Sequence, residues 1–404
     1  MKPLLSIIIP TKNRYNTLLD IVVKLSKWNE HKFEVIIQDN SEDNFNFIEK
    51  LNNIADTRMN YYHQSGVLSV VENATLAIQN SRGDYVCFLG DDDGIIEQII
   101  QVVEWMKLNE VDSLNCAHGS YHWPDYRRMN YGKKMSLSGM LLYWKFSGKV
   151  EEINPTKSLK ALLENGALRI NNITRVYHGV VSRKILEELK TLSGSYFPGP
   201  VADMSSAVGL SFVSKKHYFI DYPLIIAGAS AVSYAGKTGK KLNETKIEKQ
   251  TGIPKETLEQ WSEQLPKYMT GQTIWPESAL QALKRTGNAH LISLMNFPKI
   301  YGEFLVDFPE LKDGFDEFFN NLFLEEERAD IIKQIESYSK KYKFSKLKYW
   351  IKVYAVYFNL QKIIKLKRID ADSISLALTK LEANTELYAK TKKNYFSEIL
   401  NGKI

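Results

Sequence analysis

Gly83-Asp84-Tyr85-Val86-Cys87-Phe88-Leu89-Gly90-Asp91-Asp92-Asp93-Gly94 contains a short apolar run, Tyr85 to Leu89, which reads as a buried strand. The run ends in three consecutive carboxylates set between glycines. Adjacent anions repel, so a fold that gathers them at a strand end calls for a cation. Mg²⁺ and Mn²⁺ take oxygen ligands and often sit on one or two carboxylates while holding substrate phosphates. A solvated acidic turn is the plainer alternative for an isolated Asp-Asp-Asp.

The neighbouring sequence favours the site. Upstream, Leu4 to Pro10 is an apolar, β-branched-rich run closed by proline, as in a central parallel strand buried on both faces. It is too short to span a membrane, and no signal-peptide cleavage pattern follows it. Thr11-Lys12-Asn13-Arg14 comes next, then an amphipathic segment from Asn16 to Trp28. A second strand, Glu34 to Gln38, ends at Asp39-Asn40-Ser41. Helical periodicity around residues 45–54 and 69–80, with a weaker strand at 59–63, completes a strand–helix alternation. That order predicts an α/β domain with a mixed, mostly parallel sheet flanked by helices. Ligands of such sheets bind beyond the carboxyl ends of the strands, where Thr11–Arg14, Asp39–Ser41 and Asp91–Asp93 would converge.

The blocks Ser6–Arg14, Val35–Ser41 and Gly83–Asp93, in this order, resemble the family 2 glycosyltransferases, enzymes of GT-A fold that invert the anomeric centre of a nucleotide-sugar donor. The resemblance covers roughly residues 1 to 235. It implies that Pro10, Thr11, Asn13 and Arg14 line the nucleotide pocket. Asp39, with Ser41 beside it, would accept a hydrogen bond from the base, usually uracil. An Asx-turn closing the strand is the alternative for Asp39. Asp91-Asp92-Asp93 resembles the family's DxD region, with Gly90 where the first aspartate often stands. Asp91 and Asp93 are then the expected ligands of Mn²⁺ or Mg²⁺, and Asp92 the residue nearest the ribose. A register on the final pair, Asp92-Asp93, stays open.

Inverting transfer also needs a base for the acceptor hydroxyl. Asp203, in the segment Tyr196 to Ala207, resembles that base, although Ala202 stands where the family usually has glutamate. An N-cap of the following helix is a second role for it. Aromatics between Cys116 and Arg175, among them Tyr121, Trp123, Tyr126, Tyr131, Tyr143 and Trp144, suggest either an acceptor surface or a packed insertion. The small-residue loop Gly228 to Lys241 reads as a donor-covering loop or a linker. Its Gly-Lys-Thr triplet lacks the spacing of a phosphate loop.

From about Asn243 the β-branched runs give way to helical periodicity. The expected organisation is a GT-A catalytic domain over 1–242 and an all-helical C-terminal domain over 243–404. Residues 340–368 hold ten Lys or Arg and no acid, interleaved with aromatics. A basic amphipathic helix of this kind suits an anionic membrane surface, or it is a core helix with a solvated basic face. The formal charge of +6 is modest for 404 residues and does not argue for nucleic acid. Two cysteines make no disulfide framework, which suits a reduced, cytoplasmic setting, with peripheral contact at the inner face of the membrane.

The resemblance thus implies a metal-assisted transferase acting from a nucleotide sugar, of UDP type, onto a saccharide or lipid-linked glycan in surface polysaccharide synthesis. A non-catalytic scaffold and a sugar-phosphate nucleotidyltransferase are the alternatives. The second would require a glycine-rich phosphate loop after the first strand, which Thr11–Arg14 does not supply.

Overall fold

The computed structural model describes residues 2–126, 128–130, 133–135, 137–233, 247, 252–358, 360 and 366–402. Most of the loop at Gly228–Lys241, including its Gly-Lys-Thr triplet, and Tyr131 therefore lie outside the described residues, as do 359 and 361–365 of the basic segment.

The chain opens with β1 (Leu5–Thr11), α1 (Tyr15–Ser26), β2 (Phe33–Asp39), α2 (Phe45–Ile54), β3 (Met59–His63), α3 (Val70–Gln79) and β4 (Tyr85–Phe88). β5 (Gly94–Ile95), α4 (Ile99–Leu108) and β6 (Ser113–His122) follow, then a small ribbon of β7 (Arg128–Asn130) and β8 (Lys133–Met135). β9 (Met140–Trp144), β10 (Val150–Ile153), α5 (Pro155–Glu164), β11 (Gly179–Ser182), α6 (Arg183–Ser193), α7 (Ala202–Val213) and β12 (His217–Ala229) complete the first half. Beyond them lie α8 (Gly271–Arg285), α9 (Phe297–Asp307), α10 (Lys312–Leu322), the long α11 (Glu325–Tyr357), β13 (Leu366–Asp370), α12 (Ile374–Thr391) and α13 (Tyr395–Leu400).

The main sheet runs β10-β12-β6-β11-β4-β1-β2-β3. Pairing is parallel across β4-β1-β2-β3, and β11 enters antiparallel between β4 and β6. The period of two along β1 decides its packing. Leu5, Ile7 and Ile9 face Leu18, Ile21 and Val22 of α1, whereas Ile8 faces the opposite side with α3, α6 and the end of α7. Burial on both faces is why its middle, Ile7 to Ile9, is apolar without a break. α3 begins where the sequence suggested, because Ser69 caps it and Glu72 reaches back to the Ser69 N–H.

A second core joins α5 and the first turns of α7 to α8, α9 and α10. Helix α7 is thus wedged between the sheet, through Leu210, and the helical region, through Met204, Ala207 and Val208.

The C-terminal region is helical with one exception, β13, which pairs antiparallel with β9. Its sequence, Leu-Lys-Arg-Ile-Asp, buries only Ile369, so its side chains carry little alternation and the neighbouring sheet edge defines it. After β13 the chain returns to the first core: Ile374, Ala377, Leu378, Leu381, Phe396 and Ile399 pack there. Ile374 and Leu378 lie against Gly94, where an added Cβ would come within about 3 Å of both side chains. Among the described residues no helix is long and apolar enough to cross a membrane.

Candidate functional site

The strand ends meet as the pattern required. Register pairs Thr11 with Asp39, and β4 delivers Asp91–Asp93 beside them. Thr11 Oγ1 donates to Asp91 Oδ2 at 2.7 Å, and the Arg14 guanidinium lies 2.8 Å from Asp91 Oδ1 and 3.8 Å from Asp92 Oδ1. Asn13 turns the chain with φ 58°, and its N–H donates to Ser41 Oγ at 2.7 Å, tying the two loops together. Pro10 precedes this turn on β1.

Asp39 is buried and fully engaged. Its Oδ2 accepts from the Tyr15 and Tyr61 hydroxyls, both at 2.6 Å. Its Oδ1 accepts from the Ser41 N–H at 2.9 Å and the Ser41 hydroxyl at 2.6 Å. The Asx-turn is therefore formed, and a base N–H would reach Asp39 only by displacing one of these donors. Burial and the Asp39 charge push Tyr15 up to about 12 and Tyr61 further in the same direction, so both stay phenols able to donate.

The three aspartates have different tasks. Asp93 Oδ2 accepts from Gly90 N at 2.5 Å, His178 Nε2 at 2.6 Å and Tyr177 OH at 3.0 Å, and its Oδ1 from Gly228 N at 2.7 Å. Burial would raise its pKa, but His178 and the Gly228 and Gly90 N–H groups bring it below the ordinary carboxylate value. Asp93, an expected metal ligand, has both oxygens accepting from protein donors and so joins β4 to β12 and to the turn before β11. Asp92 Oδ2 accepts from the Ser230 N–H and hydroxyl at 3.1 and 2.8 Å. Its pKa is raised by burial and by Asp93. Burial pushes Asp91 up to about 7, although Arg14 and Thr11 pull the other way.

Among the described residues no three His, Cys, Asp or Glu side chains form a cation cage. Arg14 stands against Asp92 Oδ1 and against Asp91 Oδ1, which is buried. A hard cation that also takes donor phosphate oxygens needs only one or two carboxylates. This pair fits such an ion once the guanidinium turns aside.

Asp203 lies in the first turn of α7. The N-cap is Val201, so Asp203 is not the cap; its Oδ1 accepts the Met204 N–H at 2.9 Å. The helix N-terminus favours its ionised form, but burial dominates and raises its pKa, with Met204 N–H, His178 and Arg175 opposing. His178, with φ 56°, is a non-glycine residue in the left-handed region, a conformation that costs roughly 1–3 kcal/mol and concentrates at functional sites. It hydrogen-bonds Asp93 and opposes, electrostatically, the raised pKa of Asp203. His178, Tyr15, Tyr61, Tyr177, Arg175 and Ser230 gave no sequence signal beyond polarity inside expected strands, helices or loops. Of the aromatics suggested as an acceptor surface, Tyr121, Trp123, Tyr126 and Tyr143 are packed, whereas Trp144 is exposed.

Residues 6–160 match the model of glycosyl transferase family 2. The matched stretch holds β1 to β4 and the three adjacent aspartates. An uncharacterized glycosyltransferase of Rickettsia conorii, RC0461, is 31% identical over 121 residues, 29% of this chain. The match spans about a fifth of that relative, 19% of its length. Among solved structures, residues 1–349 of S. aureus TarS in complex with UDP-GlcNAc are similar to this chain with a TM-score of 0.48 and 13% identity, over 85% of this chain and 92% of that one. The same fragment with UDP gives a TM-score of 0.42 and 15% identity over the same shares. Against a longer TarS chain the match covers 37% of that chain and 57% of this one.

There is little room where β12 passes the aspartates. A Cβ on Gly228 would fall 1.7 Å from the Asp92 carbonyl oxygen, which already accepts from Trp123 Nε1 at 2.9 Å. Gly228→Ala is expected to force β12 away from Asp92 and Asp93 and to weaken nucleotide binding at least tenfold in calorimetry. Gly66→Ala serves as the control, since nothing lies within 4 Å of its added Cβ, although its φ of 96° carries its own strain.

Proposed function

We propose that the protein transfers a sugar from a nucleotide-diphosphate sugar, of UDP type, to a saccharide or lipid-linked glycan with inversion, in surface polysaccharide synthesis. The observation that supports this reading is the meeting of Thr11, Arg14, Asp39 and the adjacent aspartates at the ends of neighbouring parallel strands. In the proposed reaction Asp203 takes the proton of the acceptor hydroxyl as the oxygen attacks the anomeric carbon. Arg14 neutralises Asp91 and Asp92 and lies where the donor's diphosphate would arrive. Thr11, Asn13, Ser41 and Asp39 shape the nucleotide pocket, with Tyr15 and Tyr61 held by Asp39. A divalent cation, Mn²⁺ or Mg²⁺, would be held by Asp91 and Asp92, and would offset the charge of the leaving diphosphate as a Lewis acid.

The proposed division is a catalytic unit over residues 1–242 and a helical unit over 243–404, with α12 and α13 packed into the first core and α5 and the first turns of α7 into the second. We place the enzyme in the cytoplasm.

Calorimetric titration with UDP, GDP, CMP and dTDP, each with and without Mn²⁺, tests the reading. Binding of UDP, strengthened by Mn²⁺ and weakened by Asp92→Ala, is the expected result. Failure of every nucleotide to bind, with metal and with glycan acceptors added, would favour the scaffold reading.

A further inference from the structure

Helix α11 carries two apolar faces, and among the described residues only one is covered. Toward the protein it buries Ile335 and Val353, while Tyr342 OH and Lys346 Nζ reach Asp307 at 2.8 and 2.6 Å. On the other side Phe344, Leu347 and Ile351 follow one another at i, i+3 and i+7 and are 57%, 53% and 60% exposed. This spacing makes one continuous stripe on a helix. Large apolar side chains gathered in one exposed patch mark an interaction surface.

The flanks say what the stripe meets. Lys341 and Lys343 on the turns before it, and Lys348 and Lys352 along it, are all exposed. Sequence from 337 to 369 contains no acid to neutralise them. Lys352 Nζ sits 5.4 Å from the centre of the exposed Trp144 ring, which adds an aromatic of the kind enriched at membrane interfaces.

We propose that this face of α11 lies on an anionic lipid surface, with Phe344, Leu347 and Ile351 inserted and the lysines among the headgroups. A basic helix with a narrow apolar face binds in the interface plane, its apolar side entering about 5–10 Å. A second copy of the chain fits less well, because pairing the same stripe would set lysine against lysine. The assignment is independent of the transferase reading: the surface lies on another helix and uses none of the site residues.

The experiment is co-sedimentation of the full-length protein with vesicles of neutral phosphatidylcholine alone, or with about one third phosphatidylserine or phosphatidylglycerol. Binding to the anionic vesicles at low salt, falling steeply with added NaCl, is expected. Lys341→Glu, Lys343→Glu and Lys348→Glu together should lower the partition coefficient by ~100-fold or more. Phe344→Ser with Leu347→Ser should lower it by at least ~10-fold at unchanged charge. All these positions are exposed, so thermal midpoints should hold. If the triple variant does not fold, Lys343→Gln with Lys348→Gln reads the same loss at smaller size. Equal binding to both vesicle types, no binding to either, or insensitivity to the stripe and lysine variants would overturn the proposal. So would a concentration-dependent dimer in sedimentation velocity that Phe344→Ser with Leu347→Ser abolishes, which would give the face to a second copy.

Discussion

Asp203→Asn is expected to lower kcat by about 10²–10⁴-fold while leaving nucleotide affinity within a factor of two. The size is that of a lost general base. Asparagine keeps an oxygen for the Met204 N–H, so the first turn of α7 keeps its hydrogen bond and the thermal midpoint should barely move. The two readouts separate chemistry from structure, since parallel loss of UDP affinity and stability would make Asp203 a structural residue. A pH profile adds an independent mark. The base works only when ionised, and burial raises the Asp203 pKa above that of a free aspartate. The acid limb of kcat/KM should therefore lie above the usual carboxylate range, near 4, with the rate falling as pH drops through it. A limb at or below that range would remove Asp203 from the role.

Asp93→Ala should be the most destabilising single change among the three adjacent aspartates. It leaves the Gly90 and Gly228 N–H groups, the Tyr177 hydroxyl and the His178 ring without their acceptor. Each buried donor left without an acceptor costs about 1–3 kcal/mol, so a total loss of about 3–5 kcal/mol is expected. For a domain of this size that corresponds to a drop of the melting point on the order of 10 °C. Asp92→Ala removes only the two Ser230 bonds and a distant Arg14 contact, so it should cost less stability yet weaken nucleotide binding in Mn²⁺ more. Scanning calorimetry with UDP titration of both variants decides the assignment. The reverse order of effects would return Asp93 to the metal.

The sheet was legible because its physics is local. Three apolar strands ending in Thr11, Asp39 and Asp91 carry their own period and their own stop signals, and they converge as parallel strands must. The duties of the carboxylates were not legible. Asp93 is filled by groups from Gly90, from Tyr177 and His178, and from Gly228. Two of those three sources lie far along the chain, and no local pattern announces a long-range donor. Asp39 shows the same limit: its position at a strand end could be read, but not the capture of its oxygens by Tyr15 and Tyr61. β13 escaped for a different reason. A five-residue strand with one buried side chain, set in a run of lysines, gains its hydrogen bonds from β9 and announces nothing itself.

The return of residues 366–400 to Gly94 has a consequence for how the protein is made. Once Ala229 has been translated, every described strand of the sheet but β13 has been made, yet Ile374 and Leu378, which cover Gly94 beside the aspartates, are still unsynthesised. The emerging first half must wait, with that part of its core uncovered, while more than a hundred further residues are translated. Contacts so distant in sequence close slowly, and exposed apolar surface in a waiting chain invites aggregation and chaperone capture. Chains terminated early should therefore be cleared rather than accumulate as a truncated transferase, and grafts that cut the gene near residue 242 should yield insoluble product.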